Sequence, residues 1–181
     1  MKITATAIPD VLIIEPRVFA DERGFFFESF NERAFAQATG IAAKFVQDNH
    51  SRSVKNTVRG LHYQISQPQG KLVRAVAGEV FDVVVDMRRS SPTFGRWVGE
   101  YLSAENKKMM WIPAGMAHGF AVLSDYADFL YKTTEYWVPR HERILLWNDP
   151  DLAIAWPLAG EPILTAKDRA AKRLCEAEVF D

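Results

Sequence analysis

The sequence predicts a mainly β protein, an antiparallel sandwich or barrel, and three observations carry that expectation. Short segments with strand patterning recur along most of the chain. Turn signals built on Gly, Pro, Asp and Asn separate them. No repeat or low-complexity linker divides the 181 residues, a length that suits one domain with a real core. Aromatics, at 12% with 12 Phe and 5 Trp, fit a β-dominated fold or a pocket lined by flat side chains.

Residues 11–14 read as a short strand before Pro16, and 25–30 as an aromatic-rich strand after the turn Asp21-Glu22-Arg23-Gly24. Asn31 has the character of an N-cap. Ala34, Phe35 and Ala38 follow at helical spacing, and Gly40 can close the helix in the left-handed conformation. From there the texture is strand and turn. Strands are expected at 45–47 and 58–63, then at 71–77 and 80–87 on either side of Gly78, a natural tight turn. Within 80–87, Phe81, Val83, Val85 and Met87 share one face, and Val80, Asp82, Val84 and Asp86 the other. That is the period of a half-buried strand. Further strands are expected at 109–112, 118–123 and 127–134, with turns at Pro113-Ala114-Gly115 and Ser124-Asp125. The tail over 165–178 reads as helix.

Net charge is −1, so no global field draws the chain to nucleic acid or membrane; an anionic ligand needs a local cluster of Arg and Lys. The one cysteine, Cys175, excludes an intrachain disulfide and a thiolate metal cage. The N-terminus lacks a long apolar core followed by a small-residue cleavage site. No stretch approaches the length of a membrane span, and a cytoplasmic enzyme is the expectation.

Three segments could carry chemistry. In Arg59-Gly60-Leu61-His62-Tyr63-Gln64, a strand puts His62 on one face with Gly60 and Gln64, and the glycine leaves room for a ligand. Lys71 opens the next apolar strand, where a partly desolvated ammonium can face an oxyanion. The alternative is an ordinary strand histidine and a surface lysine. Ile112-Pro113-Ala114-Gly115-Met116-Ala117-His118 resembles the second cupin motif, P-x-G-x-x-H, whose histidine is a metal ligand in metal cupins. The upstream counterpart here is His62-Tyr63-Gln64, which lacks one ligand histidine, and the chain has only 4 His. No metal is therefore expected, and His118 reads as a pocket hydrogen-bonder or a packed residue. Tyr131, sharing a strand face with Phe129 and Thr133, is either a core aromatic or an acid opposed to His62. Thr165-Ala166-Lys167-Asp168 has the spacing of a helix capping box, which gives Asp168 a structural alternative.

Taken together, DERGFFFESFN, FVQDNHS, RGLHYQ, QGKLVRAVAGEVFDVVVDMR, SPTFG, LSAEN, WIPAGMAHGF, FLYKTTEYW and WNDP, in that order, resemble the dTDP-4-dehydrorhamnose 3,5-epimerase (RmlC) family from about Ile8 to Asp168. The resemblance implies a single cupin-like domain over 1–181, an antiparallel β-barrel or jelly roll with a few short peripheral helices and a helical tail at about 165–181. It implies a homodimer that uses no metal or redox cofactor. The implied reaction inverts C3 and C5 of dTDP-4-dehydro-6-deoxy-D-glucose, giving dTDP-4-dehydro-β-L-rhamnose on the way to dTDP-L-rhamnose for surface polysaccharide. Carried over, His62 matches the general base, Tyr131 the opposed proton donor, Asp168 the carboxylate paired with the base and Lys71 the cation near the ketone oxygen. Arg23, Glu28, Gln47, Asn49, Arg59, His118, Glu142 and Lys167 match substrate-binding positions, and Trp137 falls where relatives stack Tyr or Trp on thymine.

The chemistry is coherent with these residue types. A C4 ketone acidifies the hydrogens at C3 and C5, and a cation stabilises the enolate formed by removing either. Return of a proton to the other face inverts the centre and regenerates the ketone. Rival readings are an enzyme inverting only one of the two carbons, a metal-dependent cupin, and a non-catalytic sugar-binding cupin.

Overall fold

Near-continuous apolar runs belong in sheet interiors, and the strands β7 (Lys71–Ala77) and β10 (Met109–Ile112) occupy such positions. The computed structural model describes residues 1–181. A six-stranded sheet has the spatial order β1 (Lys2–Ala5), β2 (Leu12–Glu15), β10, β7, β12 (Tyr126–Thr133), β5 (Gln47–Val54). A five-stranded sheet has the order β13 (Glu142–Ile144), β6 (Val58–Gln64), β11 (Met116–Val122), β8 (Glu79–Asp86), β9 (Trp97–Ser103). Pairing is antiparallel throughout both sheets. The two sheets pack as a jelly-roll sandwich rather than a closed barrel. A separate hairpin joins β3 (Phe19–Asp21) to β4 (Gly24–Phe26). No helix is long and apolar enough to cross a membrane.

The largest apolar cluster lies between the sheets, where Val73, Met110 and Phe129 meet Val80, Val84 and Phe120. Phe129 is fully buried and stacks on Phe120 with ring centroids 4.2 Å apart. Burying one such side chain contributes about 1.5–3 kcal/mol. A second cluster covers the outer face of the five-stranded sheet, with Phe81, Val83 and Val85 under Leu174, Val179 and Phe180 of the tail. A third sits on the outer face of the six-stranded sheet, where Phe35 of helix α1 (Glu32–Thr39) packs with Leu72, Met109 and Trp111. The helix ends follow the sequence expectation. The Asn31 side chain accepts from the Ala34 N–H, and Gly40 closes the helix at φ 74°.

These outer layers correct two expectations. Strand β8 is buried on both faces, not half-buried, because the tail covers one side and the facing sheet the other. The tail over 165–181 is not a helix. It holds one helical turn, α2 (Ala166–Arg169), and a 3-10 turn at Leu174–Glu176. The remainder runs extended, with bridges from Leu145 to Lys172 and from Arg88 to Phe180. Tertiary packing of its spaced apolar residues on a flat sheet outweighs helix propensity there. The strand expected at 25–30 ends at Phe26, and the one expected at 45–47 begins at Gln47 and runs on to Val54. Strands β1, β3, β9 and β13 carry weaker patterns that the sequence reading did not single out.

Candidate active site

The site is a cavity of about 360 Å³ between the sheets. One wall comes from the six-stranded sheet: Gln47 and Asn49 of β5, Lys71 of β7 and Tyr131 of β12. The other comes from the five-stranded sheet: Arg59 and His62 of β6, His118 of β11 and Glu142 of β13. Trp137 stands at the rim, 52% exposed. His62 and Tyr131 thus approach the cavity from opposite sheets.

A β-bulge aims the β6 side chains. Strand β11 pairs His118 with His62 and Phe120 with Arg59, so three residue steps on β6 match two on β11. The extra residue turns both Arg59 and His62 toward the cavity, where strict alternation would send one of them out. Two glycines make room. Gly60 has φ +125°, and a Cβ built on it would fall 2.6 Å from the Gly119 Cα.

His62 presents Nε2 to Asp168 Oδ1 at 2.7 Å. The other Asp168 oxygen accepts from the Thr165 hydroxyl at 2.6 Å, and that hydroxyl also accepts the Asp168 N–H. Asp168 is therefore both a member of the α2 cap and the hydrogen-bond partner of His62; the geometry of both readings is present at once. Burial works against its carboxylate, but the hydrogen bonds from His62 and Thr165 outweigh burial and hold it below its ordinary value. An ionised carboxylate only accepts, so the proton sits on His62 Nε2 and the Nδ1 lone pair is free.

Lys71 is buried, with Nζ 3.4 Å from the His62 carbonyl oxygen. Burial brings its ammonium down to about 8, against the pull of Asp82 and Glu142. Burial pushes the Tyr131 phenol up, so it stays protonated at neutral pH. Arg59 Nε donates to Ser53 Oγ at 2.8 Å, which fixes the guanidinium. Trp137 is held twice: its backbone N–H donates to Gln47 and its indole N–H to Glu142, each at 3.1 Å. The Asn49 amide nitrogen is buried without a partner.

Lys167 and Asp168 line an adjoining depression of about 520 Å³ that shares Arg59, His62 and Glu142 with the first cavity. Arg23 and Glu28 lie in neither. Arg23 sits at the tip of the β3–β4 hairpin, paired with Asp21, and Glu28 accepts from Asn31. Gln64, expected on the face of His62, is buried and ties Gln67, Tyr136 and Val138, bracing the segment that carries Trp137. One contributor escaped the sequence reading. Asp82 is fully buried and accepts from His118 Nε2 at 2.9 and 3.1 Å. An aspartate within Val80-Phe81-Asp82-Val83-Val84-Val85 was the available signal, since a charge inside an apolar strand needs a partner.

Sandwich and site together define a class: an isomerase whose chemistry is proton transfer inside a jelly roll. The comparisons make this particular. The model of the dTDP-4-dehydrorhamnose 3,5-epimerase family matches residues 5–176. The chain is 66% identical over 180 residues to the dTDP-4-dehydrorhamnose 3,5-epimerase of Pseudomonas aeruginosa, covering 99% of each. It matches the crystal structure of the Legionella pneumophila dTDP-6-deoxy-D-glucose-3,5-epimerase in complex with dTDP-4-keto-L-rhamnose at a TM-score of 0.95, with 55% identity and coverage of 98% and 94%. A 3'-monoepimerase from Streptomyces bikiniensis, in complex with dTDP-quinovose, matches at 0.89, with 36% identity and coverage of 94% and 87%. This chain belongs to the dTDP-4-dehydrorhamnose 3,5-epimerase family.

Proposed function

We propose that the protein inverts C3 and C5 of dTDP-4-dehydro-6-deoxy-D-glucose, forming dTDP-4-dehydro-β-L-rhamnose. The observation that carries this reading is the opposition of His62, paired with Asp168, to Tyr131 across one cavity that also holds the Lys71 ammonium. His62 Nδ1 takes the proton from the carbon next to the ketone, and Asp168 stabilises the imidazolium that results. The electron pair moves to the ketone oxygen, where Lys71 meets the developing charge. Tyr131 delivers a proton from the other wall, and the ketone re-forms with the centre inverted. Solvent takes the proton from His62 and restores the one on Tyr131, readying the site for the second carbon.

Binding follows the same division. Trp137 offers a flat face to thymine, and Arg59 with Lys167 offers charge to the diphosphate. Asn49 keeps an unspent donor for a ligand. Metal is not required in this reading. Nε2 of His62 and of His118 is already given to a carboxylate, and no three His, Cys, Asp or Glu side chains converge. The protein works as a homodimer. Phe25 and Phe26 on the β3–β4 hairpin are 62% and 67% exposed, a patch that a second copy would cover. The same contact would carry Arg23, on that hairpin, and Glu28 just beyond it toward the partner's cavity. With the family come action in the cytoplasm and a place on the route to dTDP-L-rhamnose for surface polysaccharide.

The test is incubation with the 4-keto sugar in deuterated water, read by NMR. Deuterium at both C3 and C5 with both centres inverted is expected. Label and inversion at one carbon would make the protein a mono-epimerase, and no label would make it a binding protein. In Tyr131→Phe, exchange should persist while inversion falls about 10²-fold or more.

A further inference from the structure

The segment that carries Trp137 has no strand to pair with. Strand β12 ends at Thr133 and a 3-10 turn begins at Pro139, so residues 135–138 lie outside the ladders of both sheets. Glutamine side chains take the place of a ladder. Gln69 Nε2 donates to the Glu135 carbonyl at 2.8 Å, and Gln47 Oε1 accepts from the Trp137 N–H at 3.1 Å. Gln64, on β6, grips both sides of Trp137. Its Oε1 accepts from the Val138 N–H at 2.6 Å, and its Nε2 donates to the carbonyls of Tyr136 at 3.1 Å and Gln67 at 2.9 Å. Backbone groups fix the orientation of that carboxamide. The Val138 N–H only donates and the two carbonyls only accept, so its oxygen and nitrogen cannot change places.

Gln64 lines the cavity, yet both of its amide hydrogens are already engaged and its side chain is 3% exposed. It has no donor left for a ligand and can act on one only through what it holds. Trp137 is 52% exposed, so packing alone does little to fix it. Its indole is tied to Glu142 and its backbone to the glutamines. We propose that Gln64 is a positioning residue for nucleotide binding: it presets the backbone on either side of Trp137, so that the indole stands as a flat platform before the base arrives. This rests on the reading of Trp137 as the surface that stacks on thymine. A platform ordered in advance loses less conformational entropy when ligand binds. A loosened one offers the same ring but must first be ordered, which weakens binding and leaves the proton-transfer groups where they are.

The experiment measures affinity for dTDP by calorimetry in wild type, Gln64→Met, Trp137→Ala and the double variant. Methionine fills a similar volume without the hydrogen bonds. Trp137→Ala should weaken dTDP about 10–100-fold, the worth of one stacked base. Gln64→Met should weaken it about tenfold. In the Trp137→Ala background the same change should add less than about twofold, because its effect passes through the indole. With the keto sugar, the loss should fall on KM more than on kcat. Equal losses in both backgrounds, or wild-type affinity in Gln64→Met, overturn the proposal. Should Gln64→Met not fold, Gln64→Glu decides. As the neutral acid, glutamate keeps an acceptor for the Val138 N–H and one O–H for a carbonyl. Ionised, it faces two carbonyl oxygens with no hydrogen to give. Its dTDP affinity relative to wild type should be near one at mildly acidic pH and fall about tenfold or more as the pH rises and the carboxyl ionises. A ratio that stays flat with pH is what a mere space-filler gives, and it overturns the proposal. Failure of the stacking reading shows separately: Trp137→Ala then binds dTDP as wild type does, which overturns both, whereas failure of the proposal alone leaves that variant weakened.

Discussion

His62 and His118 sit opposite each other on neighbouring antiparallel strands, and each gives Nε2 to an aspartate at 2.7 and 2.9 Å. Their surroundings differ. The His62 side chain is 36% exposed, and its partner is an aspartate held by a helix cap. The His118 side chain is 8% exposed, and Asp82 is wholly enclosed. A base must take a proton from substrate and then lose it to solvent, so only the first pair has a route for both steps. The second pair is walled in, and burial disfavours an imidazolium there. Similar bonds in two settings suit two different jobs: in the proposed mechanism His62 transfers the proton, while His118 stays paired with a wholly enclosed aspartate. What separates them is access, which the bulge and Gly60 of β6 supply together with Gly119 of β11.

Asp168→Asn strikes the first pair hardest. Asn keeps an acceptor oxygen for the cap and loses only charge, roughly 0.3–1 kcal/mol of stability. It neither fixes the His62 tautomer nor stabilises the imidazolium, so turnover should fall about 10²–10⁴-fold. Turnover and a melting curve on one sample check this; near-normal turnover would reduce Asp168 to a cap. Thr165→Ala is the gentler version. It removes the hydroxyl that both caps α2 and braces Asp168, so stability should drop by about 1 kcal/mol and turnover by no more than about tenfold. A loss as large as that of Asp168→Asn would mean that the brace, rather than the carboxylate, sets the imidazole.

The first pair was within reach of the sequence; of the second, His118 was named and its partner Asp82 was not, for physical reasons. His62, Lys71 and Tyr131 announce themselves as polar side chains on well-patterned strands, and β7 and β10 were delimited residue for residue. The N-cap Asn31 and the left-handed Gly40 were readable because capping is local chemistry. Asp82 was hidden by its own alternation with Val80, Val84 and Asp86, which mimics a solvent-facing edge. That face is interior because a second sheet covers it, and the pairing is non-local. The tail misled for the same reason: its extended path is dictated by the sheet beneath it. Arg23 and Glu28 lie outside their own chain's cavity, which no reading of one chain's pattern could show.

In the proposed mechanism His62 moves protons and its cross-strand neighbour His118 does not. Deuterium exchange at C3 and C5 of the keto sugar, compared between His62→Ala and His118→Asn, tests it most directly. No measurable exchange is expected at either carbon in His62→Ala. Exchange at both carbons is expected in His118→Asn, slowed about tenfold, the worth of one lost hydrogen bond. Exchange surviving at either carbon in His62→Ala, or abolished in a folded His118→Asn, would contradict it.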